Sequence, residues 1–271
     1  MFILFETYYN ETLAFARKLY LELIKFEAFD PNENGIDVII SDEPQLSVRF
    51  LKESRDDSYA SFQAITNERR TTITTKTGKK ARRILIVGGI INIYVANVLK
   101  HDRRSYGSKY KTIEPYITEH KDGAYNLSKY FPPDVFLAIV KMMTKTTFFQ
   151  QIFAHEVQHF YNRWIHKRAE THRKVKTKEP LSRKDQRELN YFRSNAEIDS
   201  RTVEVAASVM NQPALQHLFD ENTPENLREF INACKAVFIH SGVWYNFFTE
   251  SIKRRIIRRL SQIYYNEVEN Y

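Results

Sequence analysis

The pentapeptide His155-Glu156-Val157-Gln158-His159 constrains this chain more than any other feature. It lies in a run, Phe148 to Lys167, whose apolar residues Phe149, Phe153, Val157, Phe160 and Trp164 recur at helical spacing. On a helix, residues i and i+4 stand one above the other, so both imidazoles can reach one metal ion. Glu156 projects beside that point, where a carboxylate can take a proton from metal-bound water and pass it to a leaving amine. Zinc suits such a site because it lowers the pKa of its water toward neutrality. With 8 histidines in 271 residues, residue frequencies give this pattern by chance in about 2% of such chains, so coincidence is the weaker reading.

Composition narrows the ligand chemistry further. A single cysteine rules out an internal disulfide and every cysteine-rich zinc arrangement, leaving histidine and carboxylate as ligands. Glycine (7) and proline (8) are scarce, which favours long helices over a many-turned β sandwich. The opening residues Met1–Glu6 lack a basic region ahead of a long apolar one, so no secretory signal is expected. The most apolar stretch, Ile84 to Leu99, is short for a membrane helix and is interrupted by Gly88, Gly89, Asn92 and Asn97. The expectation is a soluble protein, cytoplasmic or virion-associated, with no membrane partner.

Periodicity predicts a helix over 5–29, then a break at Asp30–Gly35. Strands are predicted at Ile36–Ser41, Leu46–Leu51, Tyr59–Thr66 and Arg83–Val95, with Glu68–Arg83 as an exposed loop or hairpin tip and the glycine pair as a bulge or bend. From Pro132 onward the pattern is helical: one helix around Phe136–Met143, the motif helix, one helix over Asp185–Met210 entered from Ser182, and two more near 224–239 and 243–268. The fold class is therefore α+β. Residues 1–131 form an N-terminal part with an initial helix and a small mixed sheet, residues 132–271 form a helical part, and the two are expected to make one integrated catalytic unit.

The motif and its setting resemble the zincin superfamily of metallopeptidases over residues 84–204, in the manner of small bacterial and phage HExxH proteins. The resemblance implies one Zn2+ per chain, a peptide or protein substrate, and a sheet whose edge strand lines the cleft, for which Ile84–Val95 is the candidate. An extended peptide would add to that strand through backbone hydrogen bonds. The metzincin pattern requires Gly at 162 and His at 165; Asn162 and Ile165 stand there, so that class does not apply. His166 falls one place late, across the helix from His155 and His159.

The gluzincin class instead draws its third ligand from a following helix. Tyr191-Phe-Arg-Ser-Asn-Ala-Glu197 resembles that second motif and implies Glu197 as the ligand, with Asp199 orienting a zinc-binding histidine and Asp199 or Glu204 as alternative ligands. Arg201 stands where thermolysin-like enzymes carry an aspartate, and the interval from His159 to Glu197 is long for the class. On a helical wheel Asp199 falls in the apolar stripe of Phe192, Ala196, Val203, Ala206 and Met210, and Glu197 lies opposite it. Tyr191, Arg201, His166 and His240 are candidates for stabilising a transition-state oxyanion.

Charge is concentrated in one segment. Residues 163–193 hold eleven Lys/Arg against four acids, whereas the rest of the chain is close to neutral. This segment could contact nucleic acid or an acidic substrate through Arg163, Lys167, Arg168, Arg173 and Lys174, or could be a solvated loop. The alternative to a peptidase is accordingly a catalytically silent zincin-like protein, structural or nucleic-acid-associated, of the kind a phage particle would carry. The basic run Lys253–Arg259 reads as the solvated face of a helix, and His101, His120, His172 and His217 read as surface residues.

Overall fold

A computed structural model describes residues 15–25, 30–32, 35–42, 44–54, 56–74, 80–128, 132–164, 182–242 and 247–269. The architecture is α+β, with a small mixed sheet and many helices. The chain divides into two units, residues 18–168 and residues 169–271 with 1–17.

Helix α1 (residues 15–24) contributes its residues from Lys18 onward to the first unit, and Leu19 and Leu23 on it are buried. Five strands follow: β1 (Asp30–Asn32), β2 (Gly35–Asp42), β3 (Gln45–Leu51), β4 (Ala60–Thr74) and β5 (Lys80–Tyr94). Their spatial order is β1-β2-β3-β5-β4, with β3 and β5 parallel and every other pair antiparallel. Alternation decides the buried face: Ile36, Val38 and Ile40 on β2 and Leu46, Val48 and Phe50 on β3 are all buried. The break expected at Asp30–Gly35 contains β1, a short edge strand folded back on β2.

Two expectations are corrected here. Glu68–Arg83 is not a loop throughout, because β4 runs on to Thr74 and β5 starts at Lys80. Threonine-rich sequence is β-branched and extends the ladder. The tip, residues 75–79, lies outside the described residues. The second correction concerns the edge. Ile84–Val95 was expected to be the edge strand, yet β5 is paired on both sides and β4 is terminal. A strand this apolar gains from internal placement, and the polar β4 takes the exposed position.

The glycine pair does mark a bulge. Ile65 pairs with Gly88 and Thr66 with Ile86, so Val87 is the extra residue. A Cβ on Gly89 would lie 2.3 Å from the Phe62 ring and 3.1 Å from the Phe160 ring, so the bare backbone lets the motif helix approach the sheet.

Beyond β5 the apolar run turns helical at Val95, giving α2 (Val95–His101). Asn97 is buried at its centre and has a local structural task. Its amide donates to Ser54 Oγ (2.9 Å), Asp56 O (2.9 Å) and Ser58 O (2.6 Å), and its oxygen accepts from Tyr125 N (3.0 Å). A short helix α3 (Ser108–Ile113) and the hairpin β6 (Ile117–Glu119) with β7 (Tyr125–Leu127) follow. Helix α4 (Pro133–Met143) buries Phe136, Ile139, Val140 and Met143, as its spacing predicts. Helix α5 (Thr147–Trp164) carries the HExxH motif and packs on β4 and β5.

The second unit is helical among its described residues: α6 (Arg183–Phe192), α7 (Asn195–Met210), a 3-10 segment (Pro213–Phe219), α8 (Pro224–His240) and α9 (Glu250–Glu269). Phe219, Phe230 and Tyr264 form its aromatic centre, and the Tyr264 hydroxyl donates to Leu218 O at 3.0 Å. The single helix expected over Asp185–Met210 is in fact two. Ser194 interrupts it and caps α7, its hydroxyl accepting from Glu197 N at 3.2 Å. The last helix begins at Glu250 rather than 243, with Thr249 Oγ1 accepting from Ile252 N at 3.4 Å. No helix among the described residues is long and apolar enough to cross a membrane.

Candidate metal centre

Helix α5 is held by its aromatic face. Phe149, Phe153, Val157 and Phe160 are each at most 1% exposed; Phe149 stacks on Phe50 at 6.1 Å, and Phe160 meets Phe62 at 5.8 Å. Thr146 caps the helix, its hydroxyl accepting from Phe149 N at 3.2 Å. Tyr20 of α1 braces the same helix, touching Phe153 at 6.3 Å and accepting from Gln150 Nε2 at 2.9 Å. The fixed aromatic side sets the rotation of α5, and the motif histidines leave it on another face.

His155 and His159 are both 8% exposed, and their Nε2 atoms stand 3.1 Å apart. With zinc–nitrogen bonds of about 2.0–2.1 Å, two nitrogens so spaced subtend roughly 100° at one ion, near the tetrahedral angle. The donor set therefore fits zinc. Glu156, the next residue, is buried at 7% exposure. Gln158, between the motif residues, is fully buried, and its amide makes no hydrogen bond among the described residues.

The carboxylates of α7 occupy a different setting. Glu197 is fully buried in the first turn of that helix, the end whose dipole favours a negative charge. Arg201, one turn on, holds Glu197 Oε1 through Nε at 2.6 Å and lies over the Phe192 ring at 4.8 Å. Burial pulls the Arg201 guanidinium down, but the charges of Glu197 and Glu204 outweigh that effect and raise its pKa. Asp199 is buried as well, at 1%. It ion-pairs with Arg259 and, at 3.5 Å, with Arg255, both from α9. The two readings of the helical wheel, Glu197 or Asp199 inward, are thus not exclusive.

No family model, curated protein or solved structure matches the chain. The reading of the site rests on its residues.

Among the other candidates, Tyr191 is 41% exposed and packs edge-on against Phe192 at 5.4 Å. Arg163 lies over the Phe62 ring at 5.4 Å. Lys167, Arg168, Arg173 and Lys174, like His166 and His172, fall outside the described residues. His101 accepts or donates at 2.9 Å with the Tyr59 hydroxyl and stacks on Phe148 at 4.3 Å. His120, His217 and His240 are exposed.

The expectation that Lys253–Arg259 is a solvated face is corrected for two members, since Arg255 and Arg259 turn to Asp199. Sequence reasoning missed them because their partner lies 56 residues or more away. It also missed the Ser194 cap, for which Ser194-x-x-Glu197 was a readable signal.

Proposed function

We propose that this chain is a zinc-dependent peptide-bond hydrolase of gluzincin type, with His155, His159 and Glu197 as ligands and Glu156 as general base. The observation that carries the reading is the 3.1 Å spacing of two buried imidazole nitrogens on one helix, with a buried glutamate next in sequence. Glu197 is the third ligand of choice because Tyr191–Glu197 resembles the gluzincin second motif and its carboxylate is fully buried, whereas Asp199 is taken up by Arg255 and Arg259. A zinc ion held there supplies Lewis-acid polarisation of a carbonyl and a water of lowered pKa. Glu156 receives the proton at its carboxylate and returns it to the departing amine nitrogen, so one residue serves as base and then as acid. The expected peptide partner pairs with β4, a terminal strand with no further strand beside it among the described residues, in place of the strand assigned from sequence. Burial of His155, His159 and Glu156 keeps bulk water from competing for the same donors.

The test is digestion of a library of unstructured peptides by the full chain loaded with zinc. Cleavage is expected, is stopped by a chelator, and falls by about 100-fold or more in Glu156→Gln. Full zinc occupancy without cleavage of any peptide would refute the hydrolase reading.

A further inference from the structure

Glu197 and Asp199 lie two residues apart, so their side chains leave α7 on opposite flanks, about 200° around the helix from each other. The Asp199 flank is tied to α9 at several points. Arg255 donates to Asn195, one turn before Asp199, and also reaches Asp199 itself at 3.5 Å. Arg259, one turn further along α9, ion-pairs with the same carboxylate. The Asp199 side chain is 2% exposed and that of Arg259 is 11% exposed, so this contact is shielded from solvent.

The apolar residues of α7, among them Val203, Ala206 and Val209, set only a broad inward face. Burial of apolar surface is non-directional, so it tolerates small rotations of a helix about its own axis. A carboxylate held by guanidinium groups does not, because charge-assisted hydrogen bonds are short and directional. A rotation of α7 that kept Val203 buried would pull Asp199 away from both arginines.

We infer that Asp199, gripped by Arg255 and Arg259, is a positioning residue that fixes the rotation of α7 and so the direction in which Glu197 presents its carboxylate to the metal. The inference rests on the zinc reading above. It gives Asp199 a task different from orienting a histidine, and it gives the α9 arginines a part in a site they do not touch.

The test uses the full chain and three readouts: Zn2+ affinity by competition with a chromogenic chelator, the visible spectrum of bound Co2+, and thermal unfolding without metal. Asp199→Asn and Arg259→Gln are expected to weaken zinc binding by about 10- to 100-fold, as loss of outer partners of metal ligands does. Their cobalt spectra are expected to move toward that of Glu197→Gln. Arg259→Lys, which keeps the charge, is expected to fall nearer the unaltered chain. Lower thermal stability with unchanged zinc affinity and cobalt spectrum would overturn the inference while leaving the zinc reading intact. Equal zinc binding by the unaltered chain and His155→Ala would overturn the zinc reading, and the inference with it. Should Asp199→Asn fail to fold, Arg255→Gln reads the same question from a side chain that is 36% exposed. A several-fold loss of affinity then supports the inference and no loss overturns it.

Discussion

Helices α5 and α7 both carry buried side chains proposed as metal ligands, and they hold them in opposite ways. On α5 the donors are imidazoles, which can be buried neutral, and the helix is fixed by aromatic rings against a sheet. On α7 the donors and their neighbours are carboxylates, and the arginines Arg201, Arg255 and Arg259 stand against them. Burying an ionised carboxylate without a cation is far more costly than burying a neutral ring. The scaffolds differ accordingly: aromatic packing seats the helix that carries His155 and His159, whereas arginines stand against Glu197 and Asp199.

The largest expected effect tests the packing side. Phe153→Ala removes a ring of α5 that is 1% exposed and packs against Tyr20 and Phe149. It should cost about 3–5 kcal/mol in urea unfolding; a cost below about 1 kcal/mol would mean that apolar packing does not fix α5.

The ionic side is tested by an asymmetry. Arg259→Ala should destabilise by up to about 3 kcal/mol, because it leaves the buried Asp199 carboxylate with only the 3.5 Å contact to Arg255. Asp199→Leu combined with Arg259→Met should recover most of that loss, since well-packed apolar groups replace buried ion pairs at little cost. Equal losses in the single and double variants would show that the charges are not what opposes each other there. A smaller effect belongs to the join between α6 and α7. Ser194→Ala removes the cap whose oxygen accepts from Glu197 N at 3.2 Å, and about 1 kcal/mol of stability should go with it. No change in unfolding would mean that Ser194 does not hold the start of α7.

The same contrast explains what could be read from the sequence. The α5 side was legible because its determinants are local: His155 and His159 share a face by spacing, and Phe149, Phe153 and Phe160 mark the buried side. Burial of Asp199 was foreshadowed by the helical wheel, which set Glu197 on the opposite side; the partners of Asp199 were not, because Arg255 and Arg259 approach from a helix distant in sequence. The four expected strands are present, β1, β6 and β7 were not foreseen, and the strand order was not legible. Alternation tells which face of β5 is covered, but it says nothing about which strands lie on either side. The split of the expected helix at Ser194 is hidden by apolar periodicity that continues across it, although Ser194-x-x-Glu197 is a capping pattern. The fold class and the motif residues were therefore readable, and the neighbours that hold them required the three-dimensional structure.

The central claim is that His155 and His159 hold one zinc ion together, and the most direct measurement is the metal content of the purified full chain beside His155→Ala and His159→Ala. The account predicts close to one zinc per chain in the unaltered protein and loss of it in either variant, with each variant still folded. Absence of zinc from the unaltered protein after zinc loading, or retention of it by both variants, would contradict the account.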